Sequence, residues 1–215
     1  MRLIELSHPV EHGMTTYPGL PGPEITDHLS YDDSHAVYTA GTEFTIGRIT
    51  MVSNTGTYLD TPFHRHRGGH DLAGLPLERC ALLPTLVVDG TGVIGAEVLD
   101  GLEVAGHAVL FRTGWDRHWR TERYGDPGHP SLGTDTAEIL VEGGAALVGI
   151  DSVNIDATST GERPVHTALL AAGIPIVEHL TGLDALPSTG ARFTATPVAV
   201  RGMGTFPVRA FASLD

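Results

Sequence analysis

Two residues four positions apart, Asp60 and His64, form the first pair in the chain that could do chemistry together. Pro62 lies between them and forbids a regular helix, and Gly56 precedes them, so the segment is predicted to be a stiff, irregular loop. A carboxylate and an imidazole that converge in such a loop suit metal ligation or general acid–base catalysis. The same spacing also occurs in ordinary turns, so it indicates an active site only together with other residues.

Tyr58 and Asn54, just upstream, carry polar groups that could act on the same substrate bond. The Tyr58 hydroxyl could donate a hydrogen bond to a developing oxyanion, and the Asn54 amide could do the same. We therefore interpret Tyr58 as a catalytic donor and Asn54 as a substrate contact. Beside an Asp60–His64 pair, such donors suit cyclisation or dehydration as well as hydrolysis.

A second group of candidates lies about a hundred residues later. Glu178 ends a short apolar run, where a carboxylate is a poor packing residue unless it is paired, bound to a ligand or emerging into solvent. His166 lies on a predicted helix over residues 164–172, and Asp151 ends a predicted strand over residues 146–151. Strand, helix and strand over about thirty residues indicate a right-handed parallel crossover. That crossover would bring the helix face and the strand ends close together.

The rest of the pattern predicts one mixed α/β domain over residues 1–215. Alternating β-branched and aromatic residues predict a strand over residues 43–52, which runs into the candidate segment. Residues 85–89 and 107–112 have the composition of buried strands closed by turns. Neither an internal repeat nor a change of composition indicates a domain boundary.

Two loops could supply the walls of a pocket. Residues 13–23 are too rich in proline and glycine for a helix, and residues 114–133 hold both tryptophans, several charges and two prolines. Tyr17 of the first loop and Trp115 of the second are predicted substrate contacts.

Composition excludes several classes of protein. With 41% hydrophobic and 18% charged residues, the 215-residue chain is typical of a compact soluble globule. Thirteen basic against 26 acidic residues give a net charge of −13, which would repel a polyphosphate backbone. The sequence shows no signal peptide and no membrane-spanning run, and a single cysteine, Cys80, cannot form an internal disulfide. We expect a cytoplasmic protein whose partner is a small molecule rather than nucleic acid or a membrane.

Eight segments along the chain match one protein family in order and spacing. They are Leu6-Ser-His-Pro9, Tyr17-Pro-Gly19, Asn54 to His64, Thr113-Gly-Trp115, Val148-Gly-Ile-Asp-Ser152, His166-Thr-Ala-Leu-Leu170, Ile176-Val-Glu-His-Leu180 and Pro207-Val-Arg209. The chain resembles the cyclase superfamily, which includes bacterial kynurenine formamidase and isatin hydrolase. This resemblance implies a swivelling β/β/α domain assembled as a homodimer or homotetramer. It also implies hydrolysis of amide, lactam or related acyl bonds with one or two divalent metal ions, commonly zinc or manganese.

The motif around Asp60 departs from the family at two positions. The family's motif reads His-x-Gly-Thr-His-x-Asp-x-Pro-x-His, whereas this chain reads Asn54-Thr-Gly-Thr-Tyr58-Leu-Asp60-Thr-Pro-Phe-His64. The first two histidines bind metal in the family, and neither Asn54 nor Tyr58 replaces an imidazole as a zinc ligand. The resemblance leaves Asp60, His64 and Glu178 to hold one divalent ion, zinc or manganese.

Three functions remain open on these residues. The first is a hydrolase of a small amide, lactam or lactone, with a metal at Asp60, His64 and Glu178 and with His166 as a proton donor or substrate contact. The second is a metal-independent cyclase or dehydratase of secondary metabolism that uses the acid–base pair of His64 and Asp60. The third is an inactive family member that serves as a binding subunit.

Overall fold

The computed structural model describes residues 1–214, and a nine-stranded sheet organises them. The strands in chain order are β1 (Arg2–Glu5), β2 (Glu24–Leu29), β3 (Ile46–Thr50), β4 (Tyr58–Asp60), β5 (Leu83–Asp89), β6 (Val93–Ile94), β7 (Ala108–Arg112), β8 (Ser131–Leu132), β9 (Leu147–Ile150), β10 (Ile176–Glu178), β11 (Arg192–Thr194), β12 (Thr205–Pro207) and β13 (Phe211–Leu214). The α-helices are α1 (Tyr31–Ser34), α2 (Thr134–Glu142) and α3 (Pro164–Ala171). The order of the large sheet is β1-β13-β11-β5-β7-β9-β10-β4-β12, and β2 with β3 and β6 with β8 form separate pairs.

The centre of the large sheet is parallel and buried on both faces. Strands β5, β7, β9 and β10 run parallel, and the predicted crossover joins β9 to β10 through α3. Alternate side chains of β7 enter different cores, because successive residues of a strand point to opposite faces. Val109 and Phe111 pack under α2 and α3, whereas Ala108 and Leu110 join the core on the other face. Burial on both faces explains why these strands read as nearly continuous apolar runs.

Close packing between the faces requires a glycine in β9. A Cβ added at Gly149 would lie 2.7 Å from a methyl carbon of Leu110 and 2.8 Å from one of Leu180. Any larger residue would push β9 away from these neighbours, and with it the strand end that precedes Asp151. The predicted strand over residues 146–151 is therefore confirmed as a tightly packed central strand.

Both ends of the described chain meet in the same sheet. Strand β1 pairs with β13 in antiparallel register, with Arg2 opposite Leu214 and Glu5 opposite Phe211. This pairing supports the prediction of one domain over residues 1–215, which stays a prediction. The mixed α/β architecture is confirmed.

The predicted strand over residues 43–52 is present only as β3, and it lies outside the large sheet. It pairs with β2 to form a two-stranded ribbon in which nearly every residue is exposed. A two-stranded ribbon is only marginally stable alone, so the β2–β3 ribbon needs further packing contacts to stay ordered.

The long loop over residues 114–133 contains two short 3₁₀ helices, Trp115–His118 and Glu122–Gly125. The Asp151 carboxylate holds its start, because it accepts hydrogen bonds from the backbone N–H groups of Thr113 and Gly114 at 2.8 and 2.9 Å. No helix among residues 1–214 is long and apolar enough to cross a membrane. The cytoplasmic location stays a prediction.

Candidate active site

The register of β4 brings the predicted site residues together. Strand β4 lies between β10 and β12, with Tyr58 opposite Glu178 on one side and Asp60 opposite Thr205 on the other. All four side chains are buried and face a common region. A cavity of about 380 Å³ opens onto this region, lined by Tyr17, Pro18, Gly19, Leu20, Asn54, Tyr58, His64, Asn154, Arg163, His166 and Glu178.

Asp60 presents one oxygen atom that other groups leave unsatisfied. Its Oδ1 accepts a short hydrogen bond from the Thr205 hydroxyl, while its buried Oδ2 has no hydrogen-bond partner within residues 1–214. Burial opposes ionisation of this carboxyl, but the imidazoles of His64 and His166 outweigh it and lower the pKa of Asp60 below its ordinary value. Asp60 is therefore a carboxylate with a free oxygen aimed into the site.

His166 faces the free Oδ2 of Asp60, and Asp156 holds the His166 ring in this position. The Asp156 carboxylate accepts hydrogen bonds from the backbone N–H groups of Val165 and His166, so it caps α3. It also contacts Nδ1 of His166 at 2.6 Å, which leaves Nε2 as the available ring atom. This Nε2 lies 3.7 Å from Oδ2 of Asp60 and 3.5 Å from Oε1 of Glu178. Burial would lower the pKa of His166, but these three carboxylates raise it to about 10.

Glu178 is held through both of its oxygen atoms. Oε2 accepts a hydrogen bond from the Tyr58 hydroxyl at 2.7 Å, and Oε1 accepts one from the backbone N–H of Ile155 at 2.6 Å. Burial raises the pKa of Glu178 despite the opposing effect of His166. Burial and the nearby carboxylates also raise the pKa of Tyr58 well above its ordinary value. Tyr58 is therefore a neutral phenol that donates its proton to Glu178, and it offers no phenolate to a metal.

His64 belongs to the same network through a hydroxyl bridge. It ends a 3₁₀ turn over Pro62–His64, and about a third of its side chain is exposed. Its Nδ1 lies 2.7 Å from the Thr205 hydroxyl oxygen. Since that hydroxyl donates its only proton to Asp60, Nδ1 must donate to Thr205, and Nε2 is the ring nitrogen of His64 that the network leaves available. A Cβ at Gly204 would overlap the backbone of His64, so only glycine lets β12 bring Thr205 this close.

Asp60, His64 and His166 could hold a metal ion together. Each offers one ligand atom, and these atoms lie within 4.8 Å of one another. The predicted set was Asp60, His64 and Glu178, so the structure adds His166, for which we expected a proton donor or a substrate contact. Glu178 borders the same space through its contact with His166, and its role as a ligand stays a prediction.

The other predicted site residues fall into two groups. Asn54 and Tyr17 line the cavity, as expected for substrate contacts. Trp115 does not line it, because its ring is buried against Tyr124 and its indole N–H donates to the Tyr124 carbonyl at 3.0 Å. In this structure Trp115 is a packing residue.

Sequence reasoning missed four residues at or beside the site. They are Asp156, Arg163, His179 and Thr205. The only local signal was the position of His179 directly after the strand-end carboxylate. Burial, with a smaller contribution from the charge of His8, lowers the pKa of His179 to about 3, so this imidazole is neutral.

We expect His8, which stacks on Trp119 beside His179, to make folding sensitive to acid. His8 stacks on Trp119 at 4.0 Å, and its Nε2 is buried without a hydrogen-bond partner among residues 1–214. Burial and the charge of Arg120, opposed in part by Asp116, lower its pKa from 6.5 to about 4. A depressed imidazole pKa contributes stability above pH 6.5, and this is lost as the pH falls through 4.

Urea unfolding between pH 7 and 4 would measure this effect. The free energy of unfolding should fall less steeply in His8→Gln than in the wild type, since glutamine takes up no proton. Parallel curves for the two proteins would show that His8 is not responsible.

Comparison with known proteins assigns the family. The sequence profile of the family described as "Putative cyclase" matches residues 4–157, which is more than half of the chain. The chain belongs to this cyclase family. The predicted family and its fold are confirmed, and so is the prediction that the protein is an enzyme.

Relatives within the cyclase family cover nearly the whole chain. Kynurenine formamidase of Bacillus thuringiensis subsp. konkukian is 29% identical over 210 residues, which span 96% of this chain and 95% of that protein. Isatin hydrolase A from Labrenzia aggregata superposes with a TM-score of 0.85 at 23% identity, covering 99% of this chain and 93% of that one. A predicted metal-dependent hydrolase from Bacillus stearothermophilus superposes with a TM-score of 0.75 at 26% identity, covering 98% and 97%.

Proposed function

We propose that this cyclase-family enzyme hydrolyses the amide bond of a small molecule with the help of one divalent metal ion. The observation that carries the proposal is the buried Oδ2 of Asp60, which lacks a hydrogen-bond partner within residues 1–214 and faces Nε2 of His166 at 3.7 Å. In the metal-free protein a protonated His166 pairs with this buried oxygen, and a divalent cation bound by Asp60 and the neutral imidazole would take the place of that proton. The names of the relatives, a formamidase and an isatin hydrolase, support an acyclic or cyclic aryl amide as the substrate class.

The donor set fits zinc or manganese. Asp60, His166 and Glu178 would hold the ion, and Asp156 would orient His166 as carboxylates commonly orient metal-bound imidazoles. A divalent ion at such a site supplies an acidified water molecule and polarises the substrate carbonyl. We assign His64 to proton transfer instead, because a third of its side chain is exposed, whereas Asp60, His166 and Glu178 are buried.

The other residues of the site are assigned to proton transfer, to stabilisation of the oxyanion and to substrate binding. Nε2 of His64 takes a proton from the attacking water, while Thr205 and Asp60 fix the orientation of its ring. His64 can then return that proton to the leaving nitrogen. Asn54, on the cavity wall, donates a hydrogen bond to the oxyanion, and Tyr17 contacts the body of the substrate.

Metal content and amide hydrolysis test this proposal together. Protein purified without chelators should contain about one zinc or manganese ion per chain by elemental mass spectrometry. It should hydrolyse an aryl formamide or a cyclic aryl amide, lose this activity in EDTA and regain it with the missing ion. Failure to hydrolyse either class with zinc or manganese added would refute the proposal.

A metal-independent cyclase or dehydratase is the second candidate. One observation favours it: the hydroxyl-bridged Asp60–Thr205–His64 chain is a complete acid–base unit without any ion. Turnover that survives EDTA, in protein shown to be free of metal, would support this alternative and exclude the first.

The substrate is expected to carry a carboxylate. Arg163 lines the cavity, and its Nη1 is fixed by the carbonyls of Thr160 and Glu162 at 2.8 and 2.6 Å. Arg65 joins Arg163 in an adjoining cavity beside His64. Two guanidinium groups at one opening, on a chain with a net charge of −13, form a local site for an anion.

A matched pair of substrates measures this preference. We expect Arg163→Gln to raise KM for 2-formamidobenzoate by about tenfold, the equivalent of about 1.4 kcal/mol, and to leave KM for uncharged formanilide unchanged. An equal change for both compounds would mean that Arg163 supports the loop rather than selecting an anion.

We also propose that the protein forms a homodimer or homotetramer through the β2–β3 ribbon. Ile25 and Ile49, which pair across the ribbon, and Phe44 and Ile46 beside them are each about half exposed, so both faces of the ribbon present large apolar side chains. Sedimentation should show an oligomer for the wild type and a smaller species for Ile49→Lys. Unchanged sedimentation of this variant would remove the ribbon from the interface.

A further inference from the structure

His179 is a completely buried imidazole that the proposed reaction does not use. It follows Glu178 directly, and its backbone φ of 57° lies in the left-handed region, which is unfavourable for a residue with a side chain. Two hydrogen bonds hold this conformation: the His179 N–H donates to the Ser152 carbonyl, and the Thr57 hydroxyl donates to the His179 carbonyl. Strain that is held in place beside a candidate site suggests a function.

The ring of His179 lies between two tyrosine hydroxyls. Its Nδ1 is 2.8 Å from the Tyr124 hydroxyl oxygen, and its Nε2 is 3.3 Å from the Tyr58 hydroxyl oxygen. Within residues 1–214, both ring nitrogens contact hydroxyl groups rather than a carboxylate. A buried imidazolium without a carboxylate partner is costly, so the ring is neutral and carries one proton.

The direction of each hydrogen bond follows from the Glu178 carboxylate, which ends this series of hydrogen bonds. Tyr58 donates its only proton to Oε2 of Glu178, so its oxygen can only accept from His179. Nε2 of His179 must then carry the proton, and Nδ1 must accept one from Tyr124. One arrangement satisfies every group, with all donors pointing from Tyr124 towards Glu178.

We propose that His179 is a positioning residue, held as the Nε2–H tautomer between the hydroxyls of Tyr58 and Tyr124, that directs the Tyr58 hydroxyl at Glu178. In this role it keeps Oε1 of Glu178 turned towards His166. The functional consequence rests on the proposed metal-dependent hydrolysis, in which Glu178 helps to hold the ion, whereas the tautomer follows from the hydrogen bonds alone. Tyr58 thus acts through a carboxylate and has no direct contact with the oxyanion.

The role of His179 predicts a graded series of variants. His179→Gln keeps an N–H donor for Tyr58, whereas His179→Leu has a similar size and no donor. Partners that orient metal ligands typically contribute 10- to 100-fold to metal affinity or activity. We expect zinc affinity to fall by about that factor in His179→Leu and by clearly less in His179→Gln, with kcat affected more than KM.

Nitrogen-15 NMR of the histidine side chains in the full-length, metal-free protein tests the tautomer directly. The wild type should show His179 protonated at Nε2 only, and Tyr58→Phe should lose this single state because it removes the acceptor that the Nε2–H group requires. A proton on Nδ1 in the wild type would overturn the proposal even if neither leucine nor glutamine is tolerated at position 179. So would equal zinc affinities in folded His179→Leu and wild type.

These measurements separate this inference from the proposed reaction. The NMR measurement needs neither a substrate nor a metal. It would therefore identify the His179 tautomer even if the protein hydrolysed no amide. Conversely, hydrolysis of an aryl amide by a protein with the Nδ1–H tautomer would refute the positioning role and keep the reaction.

Discussion

Replacing Asp60 by asparagine is expected to lower kcat/KM by about a thousandfold, or about 4 kcal/mol of transition-state stabilisation. Asparagine still offers an oxygen to the Thr205 hydroxyl, so the β4–β12 contact survives. Its amide nitrogen, however, would replace the free Oδ2 that faces His166. The change removes both the negative charge that orients His64 and the oxygen best placed to bind a cation.

Kinetics with a formamide substrate would measure the loss, together with zinc affinity and near-ultraviolet circular dichroism as a check of the fold. Asp100→Asn is the matched control, because Asp100 is exposed and does not line the cavity. We expect wild-type kinetics for this control. A folded Asp60→Asn protein that keeps more than a tenth of the wild-type kcat/KM would exclude Asp60 from the reaction.

Local sequence patterns predicted the parts of the site that one segment determines. Pro62 stops a helix and glycine shapes the preceding turn, so the convergence of Asp60 and His64 follows from short-range sterics. Glu178 was recognisable because a charge at the end of an apolar strand is unusual. The crossover that carries His166 was predictable from the order of the elements.

Other contacts depend on strand register and could not be predicted in this way. Tyr58 meets Glu178 because β4 and β10 pair across 120 residues, and Thr205 reaches Asp60 from a strand 145 residues away. Nothing in the composition of β12 distinguishes Thr205 from an ordinary strand threonine. Trp115 is a residue for which the sequence predicted a cavity position that the structure does not show. Its indole N–H donates to the backbone carbonyl of Tyr124, which satisfies the polar group while the ring packs inside the protein.

The strand predicted over residues 43–52 shows why periodicity alone does not assign a strand to a sheet. Alternation of polar and apolar residues gives two faces, but it does not say what covers either face. Here β3 joins a ribbon whose faces are exposed within one chain. A second copy of the chain could cover these faces, and local sequence patterns do not predict a contact between two chains.

Asp156→Asn is expected to have the second-largest effect, with kcat lowered by about 10- to 100-fold, the range typical of a group that orients a metal-binding imidazole. Its carboxylate accepts three hydrogen bonds, from two backbone N–H groups at the start of α3 and from Nδ1 of His166. Asparagine has a single acceptor oxygen, so at least one buried N–H would face an NH₂ group. The ring of His166 would lose the partner that fixes its orientation, and its pKa, raised to about 10 partly by Asp156, would fall.

The same change should lower the free energy of unfolding by about 1–3 kcal/mol, because a helix cap and a buried acceptor are lost together. Asp135→Asn separates the structural part from the catalytic part. Asp135 lies in the first turn of α2 and accepts a hydrogen bond from Ala96, but it does not line the cavity. We expect this control to unfold close to the wild type and to keep its activity. Both variants are measured well below their unfolding temperatures. If Asp156→Asn retained the zinc affinity and kcat of the Asp135→Asn control, Asp156 would serve only as a helix cap. Another group would then have to hold His166 towards Asp60.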